Sequence, residues 1–181
     1  MNFKSTILIL PGLGSSGEKH WQTLWEKQFP SFIRVNQQDW DTPRCKDWMD
    51  TLDREILKHK PENVILVGHS LACATVVFWA KRFNRKIKGA MLVAPSDTEA
   101  EAYPPGTEGF TPMPLIRLAF PSITIMSDND NYVTTGRAML FANEWGSELV
   151  NIGKAGHING ASNLGEWQEG LTYLQKLDKS V

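Results

Sequence analysis

Short apolar runs alternate along the chain with longer amphipathic stretches, and this alternation allows only a small number of folds. The runs predicted to be strands are residues 6–10, which are expected to be buried, 32–35, which form a weaker pattern, 64–67, 90–94, 123–127 and 149–152. Apolar residues recur at helical spacing in residues 18–29, 44–58, 71–83, 135–145 and 166–177. Strands that alternate with helices join by right-handed crossovers into a mostly parallel sheet with helices on both faces. The sequence therefore predicts a three-layer α/β fold with a six-stranded sheet.

Composition narrows the class of protein and of partner. The chain has 181 residues, of which 41% are hydrophobic and 22% are charged, and its formal net charge is −1. These values are typical of one globular domain, which would span residues 1–181. The near-neutral charge argues against nucleic acid or an anionic membrane surface as the main partner. The apolar runs are too short to cross a bilayer or to form a signal peptide.

The two cysteines, Cys45 and Cys73, form no pattern that is typical of a disulfide framework or a zinc site. We therefore expect a reducing compartment, the cytoplasm. The sequence contains no H-x-x-x-H or C-x-x-C pattern, so we expect neither a metal site nor a cofactor.

The segment with the clearest chemical meaning runs from Val64 to Ala72. A buried strand leads into Gly68-His69-Ser70 and then directly into a helix. A nucleophile elbow requires this context, because it holds its serine on a strained turn between a strand and a helix. The usual G-x-S-x-G pattern ends here in Ala72 instead of glycine. Ser70 is therefore the predicted nucleophile, and the simpler alternative is a serine that caps the helix.

A histidine and two aspartates follow in the chain order of a serine, acid and histidine triad. His157 lies in a glycine-containing loop after the last predicted strand, and Asp128 and Asp130 follow the strand over residues 123–127. A carboxylate there would orient His157 and stabilise its imidazolium form. The alternatives are an exposed loop histidine and an Asx-rich turn that caps the next helix. Composition does not choose between the two aspartates.

A glycine-rich loop over residues 11–17 follows the first strand. If the strand order is 2-1-3-4-5-6, this loop lies beside the turn at Ser70. The backbone N–H groups of Leu71 and Leu13 are then the predicted oxyanion-hole donors. A phosphate-binding loop is the alternative, but the P-loop pattern is absent. The candidate substrate-binding residues are Gly12, Gly14, His20 and Trp40.

Two further features have an open interpretation. His69 lies inside the elbow, where we expect it to pack rather than react. Residues 96–114 form a long irregular segment with four prolines and two glycines. Such a segment is either a mobile flap over the site or a surface excursion.

Taken together, these motifs resemble one family. Leu10-Pro11-Gly12-Leu13-Gly14, Gly68-His69-Ser70-Leu71, Ser127-x-x-Asp130 and Gly156-His157-Ile158-Asn159 occur in the order seen in the YdeN/retinoblastoma-binding protein 9 family of small serine hydrolases. The resemblance covers nearly the whole chain. It implies an α/β-hydrolase fold without a cap domain, a triad of Ser70, Asp130 and His157, and ester-cleaving ability. The retinoblastoma-binding L-x-C-x-E motif is not matched, so no protein partner is inferred.

The resulting hypothesis is a serine hydrolase that cleaves small ester, or amide, substrates through an acyl-enzyme on Ser70. One alternative is a catalytically weak hydrolase-like scaffold that acts as a binding or regulatory protein, because a fold does not prove a function. Another is an acyltransferase or perhydrolase that uses the same triad.

Overall fold

The computed structural model describes residues 1–180, which contain a six-stranded, fully parallel sheet. Its strands are β1 (Thr6–Leu10), β2 (Phe32–Arg34), β3 (Val64–His69), β4 (Gly89–Val93), β5 (Ser122–Met126) and β6 (Glu148–Asn151). The strand order is β2-β1-β3-β4-β5-β6, the order assumed above from the type of fold. Leu10 at the end of β1 is paired with Gly68 near the end of β3, so the loops that follow these two strands are neighbours.

Five helices cover the two faces of the sheet. They are α1 (Trp21–Gln28), α2 (Cys45–Ile56), α3 (Leu71–Phe83), α4 (Thr135–Trp145) and α5 (Gln168–Lys179). Side chains of α2, α3 and α4 share one core cluster with Leu8 and Leu66, whereas those of α1 and α5 share another with Ile7 and Ile65. Adjacent strand residues therefore point into different cores, as the two-residue period of a strand requires. The three-layer α/β-hydrolase fold is confirmed.

Several element boundaries differ from the predicted ones by one to three residues. The first helix begins at Trp21 instead of residue 18, because the Nδ1 atom of His20 accepts a hydrogen bond from Gln22 N and caps it. Strand β3 continues through Gly68 to His69. The last helix begins at Gln168, after Trp167 in a left-handed conformation with φ of 39°. Hydrophobic periodicity does not detect side-chain caps or backbone conformations of this kind.

The irregular segment over residues 96–114 is anchored near both ends. The Thr98 hydroxyl donates to the carbonyl oxygen of Phe110 at 2.7 Å, and Phe110 and Met113 are buried in the core. The backbone N–H of Cys45 donates to the Glu108 carbonyl oxygen at 2.8 Å. The segment contains no helix and is not a cap domain.

Residues 1–180 contain neither a candidate membrane span nor a candidate metal cluster. No helix in this part of the chain is long and apolar enough to cross a membrane. No group of three or more histidine, cysteine, aspartate or glutamate residues there is placed to hold a metal ion.

Candidate active site

Ser70 lies at a sharp turn between a buried strand and a buried helix. It has φ of 58° and ψ of −124°, and helix α3 begins at the next residue. A positive φ at a residue with a side chain is strained, and such strain concentrates at functional sites. The backbone N–H of Ser70 donates to the Val93 carbonyl oxygen at 3.0 Å, which holds the turn against β4. The Ser70 side chain makes no capping hydrogen bond to the helix.

Gly12 allows the first loop to pack directly against this turn. A Cβ atom at Gly12 would lie 2.8 Å from the Ser70 Cβ atom and 2.9 Å from the His69 carbonyl oxygen. Contacts this short would force one of the two backbones to move. Glycine at position 12 is therefore needed so that the loop can approach the turn at Ser70. Gly12 is predicted to contact substrate, but it does not line the cavity.

His157 connects Ser70 to a buried carboxylate. Its Nε2 atom is 2.8 Å from the Ser70 Oγ atom, and its Nδ1 atom is 2.9 Å from both carboxylate oxygens of Asp130. The Asp130 side chain is 0% exposed and that of His157 is 9% exposed. A carboxylate at Nδ1 keeps the imidazole proton there, which leaves Nε2 as an acceptor for the Ser70 proton. The structure thus brings the three predicted triad residues together.

The loops that carry the acid and the histidine are tied to each other. Asn129 Oδ1 accepts hydrogen bonds from Ser127 Oγ at 2.9 Å and from Gly156 N at 2.8 Å. Asp128 turns away from His157 and accepts a hydrogen bond from Asn151 Nδ2 at 2.7 Å. The Asx-turn is made by Asp130, whose Oδ1 atom accepts from Tyr132 N at 2.8 Å. Asp130 therefore combines the two roles that the sequence left open for this loop.

Two further histidines pack behind His157. The His69 Nε2 atom is 2.9 Å from the His157 carbonyl oxygen, and the His69 ring centroid is 4.7 Å from that of His20. Burial lowers the pKa of His69 well below its usual value. Burial, followed by the charges of Arg34 and His157, lowers the pKa of His20 to about 4. Both rings are therefore neutral at neutral pH, so His69 donates from Nε2 to the carbonyl oxygen.

The predicted oxyanion donors flank the turn. Leu71 is the first residue of α3, and its backbone nitrogen would lie 3.3 Å from a Cβ atom placed on Gly12. Leu13, the next residue of that loop, lines the cavity at Ser70. Within residues 1–180, neither backbone N–H has a hydrogen-bond acceptor. Leu71 itself is buried and is not among the residues that line the cavity.

A cavity of about 540 Å³ opens over Ser70. Its walls include the predicted residues Leu13 and His20, but not Gly12, Gly14 or Trp40. Gly14, with φ of 72°, makes a turn and donates from its backbone N–H to the Trp40 carbonyl oxygen at 2.8 Å. The Trp40 ring packs against Trp48, with the ring centroids 5.5 Å apart. Gly14 and Trp40 are predicted to contact substrate, but they hold the loop in place and do not line the cavity.

Several cavity residues were not predicted. They include Ser96, Tyr103, Pro104, Tyr132 and Asn159. Ser96 follows the carboxyl end of β4, beside β3, and the side chains that line ligand sites in such sheets come from these ends. That placement was one signal for Ser96. A second signal was the long segment over residues 96–114, for which a flap over the site is one of the two expectations; Ser96, Tyr103 and Pro104 of this segment line the cavity. Tyr132, with its ring centroid 4.5 Å from that of His157, is close because of the Asx-turn at Asp130.

Comparisons with known proteins agree on one family. A family model described as serine hydrolase matches residues 7–176. The chain is 33% identical to a YdeN-like hydrolase of Pectobacterium atrosepticum, with a TM-score of 0.84 over 96% of this chain and 90% of that chain. The ydeN gene product of B. subtilis is 19% identical, with a TM-score of 0.79 over 98% and 100% of the two chains.

A more distant structural neighbour is a thermophilic esterase of Thermogutta terrifontis, Est2, with butyrate bound. It is 17% identical, with a TM-score of 0.67 over 97% of this chain and 82% of that chain. At this identity the likeness is one of fold. The comparison with curated proteins found no match.

Proposed function

Because the chain belongs to the serine hydrolase family and is similar to the YdeN-like hydrolases, we propose that it cleaves small ester or amide substrates through an acyl-enzyme on Ser70. The observation that carries this proposal is the unbroken set of contacts from the Ser70 Oγ atom through His157 to Asp130, at 2.8 Å and 2.9 Å. In this arrangement a neutral imidazole accepts the serine proton while the buried carboxylate stabilises the imidazolium that results.

The proposed reaction has two halves. Ser70 Oγ attacks the substrate carbonyl carbon, its proton passes to His157 Nε2, and the N–H groups of Leu71 and Leu13 stabilise the oxyanion. His157 then donates the proton to the leaving alcohol or amine. In the second half, His157 removes a proton from water, which attacks the acyl carbon. The bond to Ser70 Oγ then breaks, Oγ takes the proton from His157, and the acid is released. No step in this scheme uses a cofactor.

The cavity supports a small-molecule substrate. A volume of about 540 Å³ lies within the range of about 300–1,000 Å³ that is typical of small-molecule sites. Tyr103, Pro104 and Tyr132 supply apolar and aromatic surface on its walls, and Glu18 and Lys19 supply charge. The esterase of Thermogutta terrifontis, a protein of similar fold, has butyrate bound, which is a precedent for a small carboxylic acid as ligand of this fold.

We also propose a reducing compartment, the cytoplasm. Cys45 and Cys73 are both buried, and neither forms a disulfide bond. Burial raises the pKa of the Cys45 thiol to about 12, so it stays protonated and unreactive at neutral pH. The fold therefore does not depend on cysteine oxidation.

A fluorophosphonate probe tests the nucleophile. We expect covalent labelling of the native protein at Ser70 and none in Ser70→Ala. Ser15→Ala is the matched control, because Ser15 lines the same cavity and its hydroxyl instead accepts a hydrogen bond from Arg34 Nη1 at 3.2 Å. No labelling of the native protein would indicate an inert scaffold, and labelling of Ser70→Ala would assign the nucleophile elsewhere.

A second measurement separates water from other acyl acceptors. The native protein is incubated with p-nitrophenyl butyrate, with and without added alcohol or hydrogen peroxide. Release of butyric acid alone supports a hydrolase. Dominant formation of the new ester or the peracid would contradict hydrolysis and support an acyltransferase or a perhydrolase.

A further inference from the structure

A second serine hydroxyl touches the candidate nucleophile, and the triad does not account for it. The Ser96 Oγ atom lies 2.8 Å from the Ser70 Oγ atom, and Ser96 is 1% exposed. We propose that the Ser96 hydroxyl is a catalytic hydrogen-bond donor, which stabilises negative charge on the Ser70 oxygen as that oxygen leaves the acyl group. The inference rests on the proposed function, because it requires an acyl-enzyme on Ser70.

The direction of the hydrogen bond follows from counting protons. Asp130 keeps the proton of neutral His157 on Nδ1, so His157 Nε2 is an acceptor. Within residues 1–180, the proton that fills this acceptor is the hydroxyl proton of Ser70. A hydroxyl has one proton to donate and two lone pairs to accept with. Ser96 must therefore be the donor in its contact with Ser70.

The backbone around Ser96 places this donor firmly. Two residues earlier, Ala94 has φ of 48°, and its N–H donates to the Ile125 carbonyl oxygen at 2.8 Å. One residue later, the Asp97 N–H donates to the Tyr132 carbonyl oxygen at 2.9 Å. Strained conformations of this kind persist where the surrounding structure fixes them.

The Asp97 side chain adds a further anchor. Arg137 donates from Nε and Nη2 to its two carboxylate oxygens at 2.8 Å and 2.9 Å. Two parallel hydrogen bonds between an arginine and a carboxylate fix orientation as well as distance. Because Asp97 is the neighbour of Ser96, the donor is held in place before the reaction begins.

The Tyr103 hydroxyl lines the cavity together with Ser96, but it makes no hydrogen bond to Ser96 in the described part of the chain. The Ser96 hydroxyl therefore has Ser70 as its one hydrogen-bond partner within residues 1–180.

The donor matters most when the acyl-enzyme breaks down. Water attacks the acyl carbon and gives its proton to His157 Nε2. The tetrahedral intermediate then collapses, the bond from carbon to Ser70 Oγ breaks, and the electron pair moves onto Oγ, which takes the proton from His157. The Ser96 proton stays on Ser96 throughout and hydrogen bonds to the oxygen on which charge develops. In acylation the same oxygen is the attacking atom, and a donor there both stabilises its charge and reduces its nucleophilicity.

Ser96→Ala should therefore slow deacylation more than acylation. A hydrogen bond to a charged group is worth enough to lower the deacylation rate about tenfold to a hundredfold when it is lost. With deacylation limiting, kcat and KM fall together and kcat/KM changes much less. The acyl-enzyme then accumulates, so the burst of p-nitrophenol from p-nitrophenyl butyrate approaches one per enzyme molecule.

Two variants separate this effect from damage to the loop. Ser96→Cys fills the same space with a thiol, which is a weak donor, and should slow deacylation as Ser96→Ala does. Thr98→Val removes a buried hydroxyl two residues away that bonds only to the Phe110 carbonyl oxygen, and it should deacylate at the native rate. If Ser96→Ala fails to fold by circular dichroism, Ser96→Cys carries the test.

Stopped-flow measurement of the burst and the steady state gives both rates for each protein. Selective slowing of deacylation in both Ser96 variants supports the proposal. Native deacylation in a folded Ser96 variant overturns it, and so does equal slowing in Thr98→Val. If the native protein forms no acyl-enzyme, the proposed function itself fails, which is a different result from an acyl-enzyme that Ser96 does not affect.

Discussion

The Nε2 atom of His69 donates a hydrogen bond to the carbonyl oxygen of His157 at 2.9 Å. His69 is the residue immediately before Ser70, so the end of β3 holds the backbone of the loop that carries the imidazole. The residue after His157, Ile158, is buried and has φ of 48°. The hydrogen bond thus fixes a strained part of the loop at the place where the imidazole must meet the serine.

Replacing His69 should loosen this attachment. In His69→Phe the ring packing is kept, but the His157 carbonyl oxygen loses its donor, which destabilises the fold by about 1–3 kcal/mol. We expect kcat to fall as His157 becomes less well placed. Urea unfolding and steady-state kinetics measure the two effects. Native kcat in a folded His69→Phe would show that this hydrogen bond does not position the imidazole.

The two aspartates after β5 should differ sharply in importance. Asp130→Asn places an amide against His157 Nδ1 and favours the wrong tautomer, which in such triads lowers kcat by about 10⁴-fold. Asp128→Asn alters a contact with Asn151 only and should change kcat little. The two variants are compared by kcat after circular dichroism has shown that each is folded. A larger loss in Asp128→Asn would reverse the assignment of the acid.

Gly12 should not tolerate a side chain, whereas Gly17 should. The Cβ atom of Gly12→Ala would lie 2.8 Å from the Ser70 Cβ atom and displace the nucleophile or the loop that carries Leu13. A Cβ atom at Gly17 has nothing within 4 Å, and Gly17 has no positive φ. We expect a loss of kcat/KM and of fluorophosphonate labelling rate in Gly12→Ala only. Equal activity of the two variants would contradict the close approach of loop and elbow.

His20 should make the folded protein less stable in mild acid. Its pKa is about 4 in the folded protein, against an ordinary value of 6.5, so between these values the unfolded chain binds the extra proton. Stability is therefore fully retained above pH 6.5 and is lost as the pH falls toward 4, by about 3 kcal/mol in all.

The His20→Asn variant isolates this contribution. Asparagine is a good helix N-cap residue and can accept the hydrogen bond from Gln22 N, so α1 keeps its start. The free energy of unfolding, measured with urea from pH 4 to pH 7, should fall less steeply on acidification in His20→Asn than in the native protein. Parallel curves for the two proteins would contradict the assignment to His20.

The fold could be predicted from the sequence because its signals are local. Most strands are short apolar runs, and the helices repeat apolar residues at a regular spacing, so their alternation predicts a three-layer fold; the exposed strand β6 departs from this pattern, and the strand order was assumed from the type of fold. The start of α1 at Trp21 was predicted three residues too early, since it depends on a side-chain cap at His20. The left-handed backbone conformation of Trp167 before α5 likewise cannot be predicted from the hydrophobic pattern.

The triad could be predicted because each of its three residues lies in a turn or loop that comes after a strand. The structure places Ser70 and Asp130 beside His157. Trp40 and Gly12 are predicted substrate contacts, but neither lines the cavity. Which way a loop residue faces depends on packing between loops, as in the contact of Trp40 with Trp48.

Residues 96–114 are anchored at Asp97 and Phe110, so mutations between these anchors can change the cavity without changing the rest of the site. Tyr103 and Pro104 lie between the anchors and form part of the cavity wall, yet no strand or helix includes them. Substitutions there can reshape the wall while the sheet, the elbow and the loop of the imidazole keep their positions. This stretch is therefore the natural place to diversify in a library that selects for new substrates.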